Sequence, residues 1–120
     1  MTDRARSRQD ANREHDELVA RILAKAGQDP TVRLFHNRTS KVRALGSGQM
    51  VDRGLIRGGT DIVGVVGPRG IWLGIEVKTG RATTTPEQRA HAEYMRACGA
   101  VVGVARSLED ADRLIQEARS

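Results

Sequence analysis

The chain predicts an α/β fold, a mixed central sheet of three or four main strands flanked by helices. Three observations lead there. Apolar residues recur at helical spacing over about residues 10–26. Two β-rich runs, Ile62–Val66 and Ile71–Val77, are joined by the turn sequence Gly67-Pro68-Arg69-Gly70. After them a capped helix, an apolar strand and a second capped helix alternate. The stretch from Ile71 to Val104, helix included, is long enough for a right-handed crossover between parallel strands, so the sheet should be mixed.

At 120 residues the chain is one domain with a modest core. Lys and Arg total 20 against 15 Asp and Glu, a formal charge of +5 carried mostly by Arg, which favours a polyanionic partner. The single cysteine, Cys98, excludes an internal disulfide and suits a reducing compartment; at an apolar helix end it should be a buried thiol. No window approaches the roughly 20 apolar residues of a membrane span. The charged N-terminus lacks the apolar core of a signal peptide. The expected setting is cytoplasmic, with no membrane partner.

Residues 1–9 are polar and unpatterned and read as a flexible basic N-terminal arm ahead of a single domain, 10–120. The first helix follows, with Leu18, Val19, Ile22, Leu23 and Ala26 at helical spacing and Gly27 as a stop. Val32–His36 is a short strand after the turn at Gln28-Asp29-Pro30. Residues 37–59 are rich in glycine and basic residues and long for a loop, which suggests an internal hairpin through Val42–Leu45 and Gln49–Val51. In the strand Ile71–Val77, Ile71, Leu73, Ile75 and Val77 share one face; Trp72, Gly74, Glu76 and, beyond it, Lys78 share the other. Thr85-Pro86-Glu87-Gln88 starts a helix with a capping box and proline at the first helical position, and Gly99 ends it. Ala100–Ala105 is a buried strand. Ser107-Leu108-Glu109-Asp110 opens the last helix, whose apolar stripe is Leu108, Ala111, Leu114, Ile115 and Ala118.

The chemistry concentrates at Asp61 and Glu76-Val77-Lys78. Asp61 begins one strand of the hairpin and Glu76 nears the end of the other, so the turn brings the two carboxylates together. Glu76 and Lys78 point the same way, and the Val77 carbonyl is a hard oxygen donor beside them. Two acids, a carbonyl and an ammonium can hold a divalent metal against a phosphodiester, where metal charge and an activated water are needed for hydrolysis. Glu76 also interrupts a strongly apolar strand, an unusual place for a solvated charge. Structural alternatives are a surface salt bridge for Glu76–Lys78 and a bulge or bend for Gly74, which otherwise leaves room on the polar face.

Glu14 lies one turn before Leu18 and two before Ile22, at the edge of the buried stripe, and could approach as a further ligand; Glu17 competes for that place. Gln88 could hydrogen-bond phosphate or water near its helix N-terminus, although its capping role also accounts for it. Arg38, Lys41, Arg43, Arg53 and Arg57 are candidate phosphate contacts, against the alternative of a solvated basic loop. Trp72 could stack on a base or pack against a helix or partner subunit. His15, His36 and His91 show no mutual metal-ligand spacing and read as surface or packing residues.

The chain resembles the PD-(D/E)XK nuclease superfamily and, within it, the virus-type replication-repair nuclease (VRR-NUC) group. The matching pieces are Glu14, Gly58-Gly59-Thr60-Asp61-Ile62-Val63-Gly64, Ile75-Glu76-Val77-Lys78, Thr84-Thr85-Pro86-Glu87-Gln88, the run from Cys98 to Val104, and Ser107-Leu108-Glu109-Asp110, in that order across residues 13–116. The resemblance implies a restriction-endonuclease-like core and a Mg²⁺- or Mn²⁺-dependent DNA endonuclease, phage-encoded or bacterial. It implies Glu14, Asp61 and Glu76 as metal ligands and Lys78 as catalytic base or electrostatic aid, with Gln88 matching the family's polar residue on the following helix. Compact members resemble dimeric nucleases, some acting on four-way junctions, which implies a homodimer on branched DNA. Thr60 stands where the family usually has proline. The alternative is a non-catalytic DNA-binding module or an interaction module of a replication complex.

Overall fold

The computed structural model describes the backbone of residues 3–38, 40–43, 46, 50–53 and 59–120, and the side chains of residues 8–38, 46 and 59–120. In chain order the elements are α1 (Asp3–Ala26), β1 (Val32–His36), β2 (Ser40–Arg43), β3 (Met50–Arg53), β4 (Ile62–Val66), β5 (Ile71–Val77), α2 (Pro86–Ala97), β6 (Val101–Ala105) and α3 (Leu108–Arg119). The main sheet runs β1-β4-β5-β6, and β2 and β3 form a separate antiparallel pair. β1, β4 and β5 pair antiparallel while β6 joins β5 in parallel, so the mixed sheet and the crossover through α2 are both present.

Two boundaries differ from expectation. α1 begins at Asp3, so most of the presumed N-terminal arm continues the helix; Arg, Gln and Ala propagate a helix well even without an apolar stripe. The internal hairpin pairs Ser40–Arg43 with Met50–Arg53, displaced from the segments expected from the sequence.

One face of the sheet carries the core. Val19, Ile22 and Ala26 of α1 and Ala111, Ile115 and Ala118 of α3 pack with Val32, Ile62, Val66, Leu73, Ile75, Val77 and Ala105. The strand members recur at alternate positions, as the pleat requires. Ile22, Ile62, Leu73 and Ile75 are essentially inaccessible, and burial of such side chains is worth about 1.5–3 kcal/mol each. This face therefore holds the fold.

The opposite face is covered unevenly. α2 buries no residue fully; it is tied to β6 by Arg96, whose Nε and Nη2 donate to the Val102 carbonyl at 3.1 and 2.8 Å. Gly99 at φ +97° closes α2, a conformation in which a Cβ would be strained. Because the helix rests on the sheet without burying itself, Cys98 at its end is exposed rather than buried. Phe35 and Val65, farther along the sheet from α2, are also exposed, and Trp72, opposite Val65, is half-buried.

Candidate active site

The register builds the site. Ile62 lies opposite Ile75 in the β4–β5 ladder, so the next position outward places Asp61 across from Glu76. Asp61 is held from both sides. Its carbonyl accepts from the Asn37 N–H at 2.7 Å, and its carboxylate Oδ2 accepts from the Val77 N–H at 2.8 Å. An extended residue directs its N–H and C=O to the same edge, so the Val77 carbonyl faces the Asp61 side as well.

Thr60 supports this corner. It is buried, its Oγ1 donates to the Ile62 carbonyl at 2.9 Å, and its own carbonyl accepts from Asn37 Nδ2 at 3.0 Å. A Cβ at Gly74 would come within 2.8 Å of Thr60 Oγ1. The space that Gly74 leaves on the polar face is thus filled by Thr60, and β5 runs through it in continuous register without a bulge. Threonine at the position where the resembled family has proline is accommodated by this glycine.

Glu76 is 6 % exposed. Its Oε1 accepts from Gln88 Nε2 at 3.1 Å and lies 3.7 Å from Lys78 Nζ, while Oε2 is buried with no hydrogen-bond partner among the described residues. Burial, and after it the hydrogen bonding and charge of Asp61, push the Glu76 carboxyl up to about 8, with Lys78 opposing. A buried acceptor left unpaired costs about 1–3 kcal/mol. A cation beside Oε2 would supply the missing partner and favour the ionised form. Two facing carboxylates, one of them with an oxygen lacking a partner among the described residues, and the Val77 carbonyl are oxygen donors of the kind a hard divalent ion takes.

The capping reading of Gln88 holds, and the free end of its amide reaches Glu76, a contact the sequence did not suggest. The oxygen accepts from the Thr85 N–H at 2.9 Å and completes the capping box of α2, while the nitrogen reaches Glu76. A cleft of about 220 Å³ runs between α2 and β6, lined by Thr60, Glu76, Gln88, Arg89, Arg96 and Val102 among others.

Glu14 does not join the cluster as expected. It and Glu17 are exposed and line a different cleft with Arg21, Arg106, Ser107 and Glu109. No hydrogen bond or ion pair links either to Asp61, Glu76 or Lys78 among the described residues. The helix presents His15 instead, with Nε2 3.3 Å from Asp61 Oδ2 and Nδ1 3.3 Å from Asp16 Oδ1. The signal was in the helical phase. His15 precedes Val19, Ile22 and Ala26 by four, seven and eleven residues and so lies on the most buried stripe of α1, whereas Glu14 is turned about 100° away.

Arg38 is exposed, with Nε 3.4 Å from His36 Nδ1. In the β2–β3 pair, Lys41 lies opposite Asp52, Arg43 opposite Met50 and Arg53 opposite Ser40; Arg57 lies outside the described residues. Among the described residues no group of three or more His, Cys, Asp or Glu side chains converges tightly enough to hold a metal ready-made, and no helix is long and apolar enough to cross a membrane. No protein-family model matches the chain, and neither a curated protein nor a solved structure shows detectable similarity to it.

Proposed function

We propose that the protein is a metal-dependent DNA endonuclease that uses Mg²⁺ or Mn²⁺, with a core of the PD-(D/E)XK type. The observation that carries this reading is the buried Glu76 carboxyl, facing Asp61 across the hairpin and next to Lys78, with one oxygen lacking a partner among the described residues. Buried carboxylate oxygens are seldom left unpaired, which supports a further partner at this atom.

Asp61, Glu76 and the Val77 carbonyl would hold the ion. When bound, it supplies positive charge to the transition-state phosphate oxygens and acidifies the attacking water. The protein's own groups do the rest. The Val77 N–H fixes the Asp61 carboxylate, and Gln88 fixes Glu76 from the opposite side. Lys78, only 13 % exposed at its side chain, offers an ammonium that orients the water and stabilises developing negative charge. Arg38, Lys41, Arg43, Arg53 and Arg57 contribute phosphate contacts that position DNA without reading its sequence. A homodimer acting on branched or four-way-junction DNA belongs to the same reading; sedimentation of the free protein and of its junction complex tests it.

The experiment is a panel of labelled duplex, single-stranded, flap and four-way-junction DNAs incubated with Mg²⁺ or Mn²⁺. The parent should cut at least one substrate, and Asp61→Ala, Glu76→Ala and Lys78→Ala should each reduce cutting at least 100-fold while remaining folded, as expected for groups that touch the reacting centre. Three folded variants that cut as well as the parent would remove the assigned centre. The formal charge of +5 also suits a second reading, a non-catalytic DNA-binding or interaction module. That reading predicts salt-dependent DNA binding or a stoichiometric protein complex, with no cutting of any substrate in the panel.

A further inference from the structure

We infer that His15, rather than Glu14, is the helix-borne ligand of the metal centre, and that its imidazole makes the centre favour Mn²⁺ over Mg²⁺. The inference rests on the metal-dependent reading above and adds to it a ligand and an ion preference.

Three features point to His15. The first is helical phase, since the stripe that docks α1 on the sheet carries His15 to Asp61 and leaves Glu14 in another cleft. The second is spacing. Two donors bound to one ion at adjacent corners of an octahedron, each about 2.0–2.2 Å from it, lie about 3 Å apart. His15 Nε2 and Asp61 Oδ2 are in hydrogen-bond contact at 3.3 Å, close to that spacing; no third His, Cys, Asp or Glu among the described residues converges with them, so an ion would replace this contact and draw Glu76 in. The third is the other ring nitrogen. Nδ1 lies 3.3 Å from the Asp16 carboxylate, and metal-binding histidines commonly donate that second N–H to a carboxylate, which fixes the tautomer and leaves the first nitrogen as a lone pair.

Ion preference follows from donor chemistry. Mg²⁺ takes oxygen ligands and keeps much of its water, whereas Mn²⁺, though the weakest binder of the first-row transition series and at home with oxygen donors, accepts an imidazole nitrogen more readily than Mg²⁺ does. Replacing an expected glutamate by histidine therefore shifts an all-oxygen set to a mixed one. Asp61 and Glu76 still supply hard oxygens, so Mg²⁺ binds, but without benefit from the ring.

The test reads metal binding directly. Mn²⁺ is titrated into the metal-free full chain, with free ion measured by its EPR signal and bound ion examined by pulsed EPR for coupling to a coordinated ¹⁴N. The parent should bind Mn²⁺ with that coupling. His15→Gln should lose the coupling and weaken Mn²⁺ binding about tenfold or more, a loss that even outer partners of a metal site cause. Its Mg²⁺ affinity, read by displacement of Mn²⁺, should change less than threefold. Glu14→Gln should match the parent in every respect. Mn²⁺ held through Asp61, as shown by loss of binding in Asp61→Asn, but without nitrogen coupling in the parent, overturns the inference and leaves the metal centre standing. Coupling that survives in His15→Gln does the same. A parent that binds no Mn²⁺, or an Asp61→Asn variant that binds it as tightly as the parent, overturns the centre and the inference together.

Discussion

The Val77 backbone N–H donates to the Asp61 carboxylate across 2.8 Å, and this one bond joins the start of β4 to the end of β5 at the point where their side-chain chemistry meets. It clamps one carboxylate while the carboxylate opposite, Glu76, keeps an oxygen that no group among the described residues pairs. That asymmetry makes the corner a candidate centre rather than a closed network, and the following outcomes are expected from it.

Glu76→Gln should change how stability of the metal-free protein depends on pH. The Glu76 carboxyl is raised from 4.5 to about 8 in the folded chain, chiefly by burial. A raised acid favours the folded state while protonated, so its contribution is fully present below about 4.5 and is lost as pH climbs toward 8. Urea unfolding at pH 5 and pH 8.5 should show Glu76→Gln gaining on the parent at the higher pH, by a few kcal/mol at most. Equal pH profiles for the two proteins would contradict the assignment.

Gly74→Ala should destabilise the fold by about 1–3 kcal/mol through overpacking, because its Cβ would meet Thr60 Oγ1 at 2.8 Å and Cγ2 at 3.3 Å. Thr60→Ala removes the obstacle. In a double-mutant cycle the two changes together should cost less than the sum of each alone; simple additivity would show that the contact does not matter.

Gln88 separates capping from site support. Glutamate at the third helical position still completes a capping box, so Gln88→Glu should leave the start of α2 intact. It also sets a carboxylate against Glu76 Oε1, where an amide now donates at 3.1 Å. The expected result is near-parental helix content with at least tenfold weaker Mn²⁺ binding. Parental metal affinity would reduce Gln88 to a cap.

Salt should weaken DNA binding steeply. Substituting Arg38, Lys41, Arg43, Arg53 or Arg57 by alanine should lower affinity similarly for all sequences and reduce the slope of log K against log salt by about 1 for each true phosphate contact. Fluorescence anisotropy across a salt series measures it, and an unchanged slope removes that residue from the interface.

What could be read from the sequence was local. The α2 cap was legible in Thr85-Pro86-Glu87-Gln88 because capping chemistry operates within one turn. The pairing of Asp61 with Glu76 was legible because a short turn sets hairpin register, and strand alternation then put Glu76 and Lys78 on one side. The apolar strands and the α3 stripe followed from periodicity alone. Tertiary structure decided the rest. Whether Glu14 or His15 faced Asp61 depended on how α1 is rotated against the sheet, and that rotation is set by the depth at which Val19, Ile22 and Ala26 pack. Thr60 filling the space above Gly74 required two strands to be laid side by side. Cys98 emerged exposed because α2 rests on β6 without burying itself. Local sequence determines an element and its faces, whereas close packing between elements selects which residue at the edge of a face reaches its neighbour.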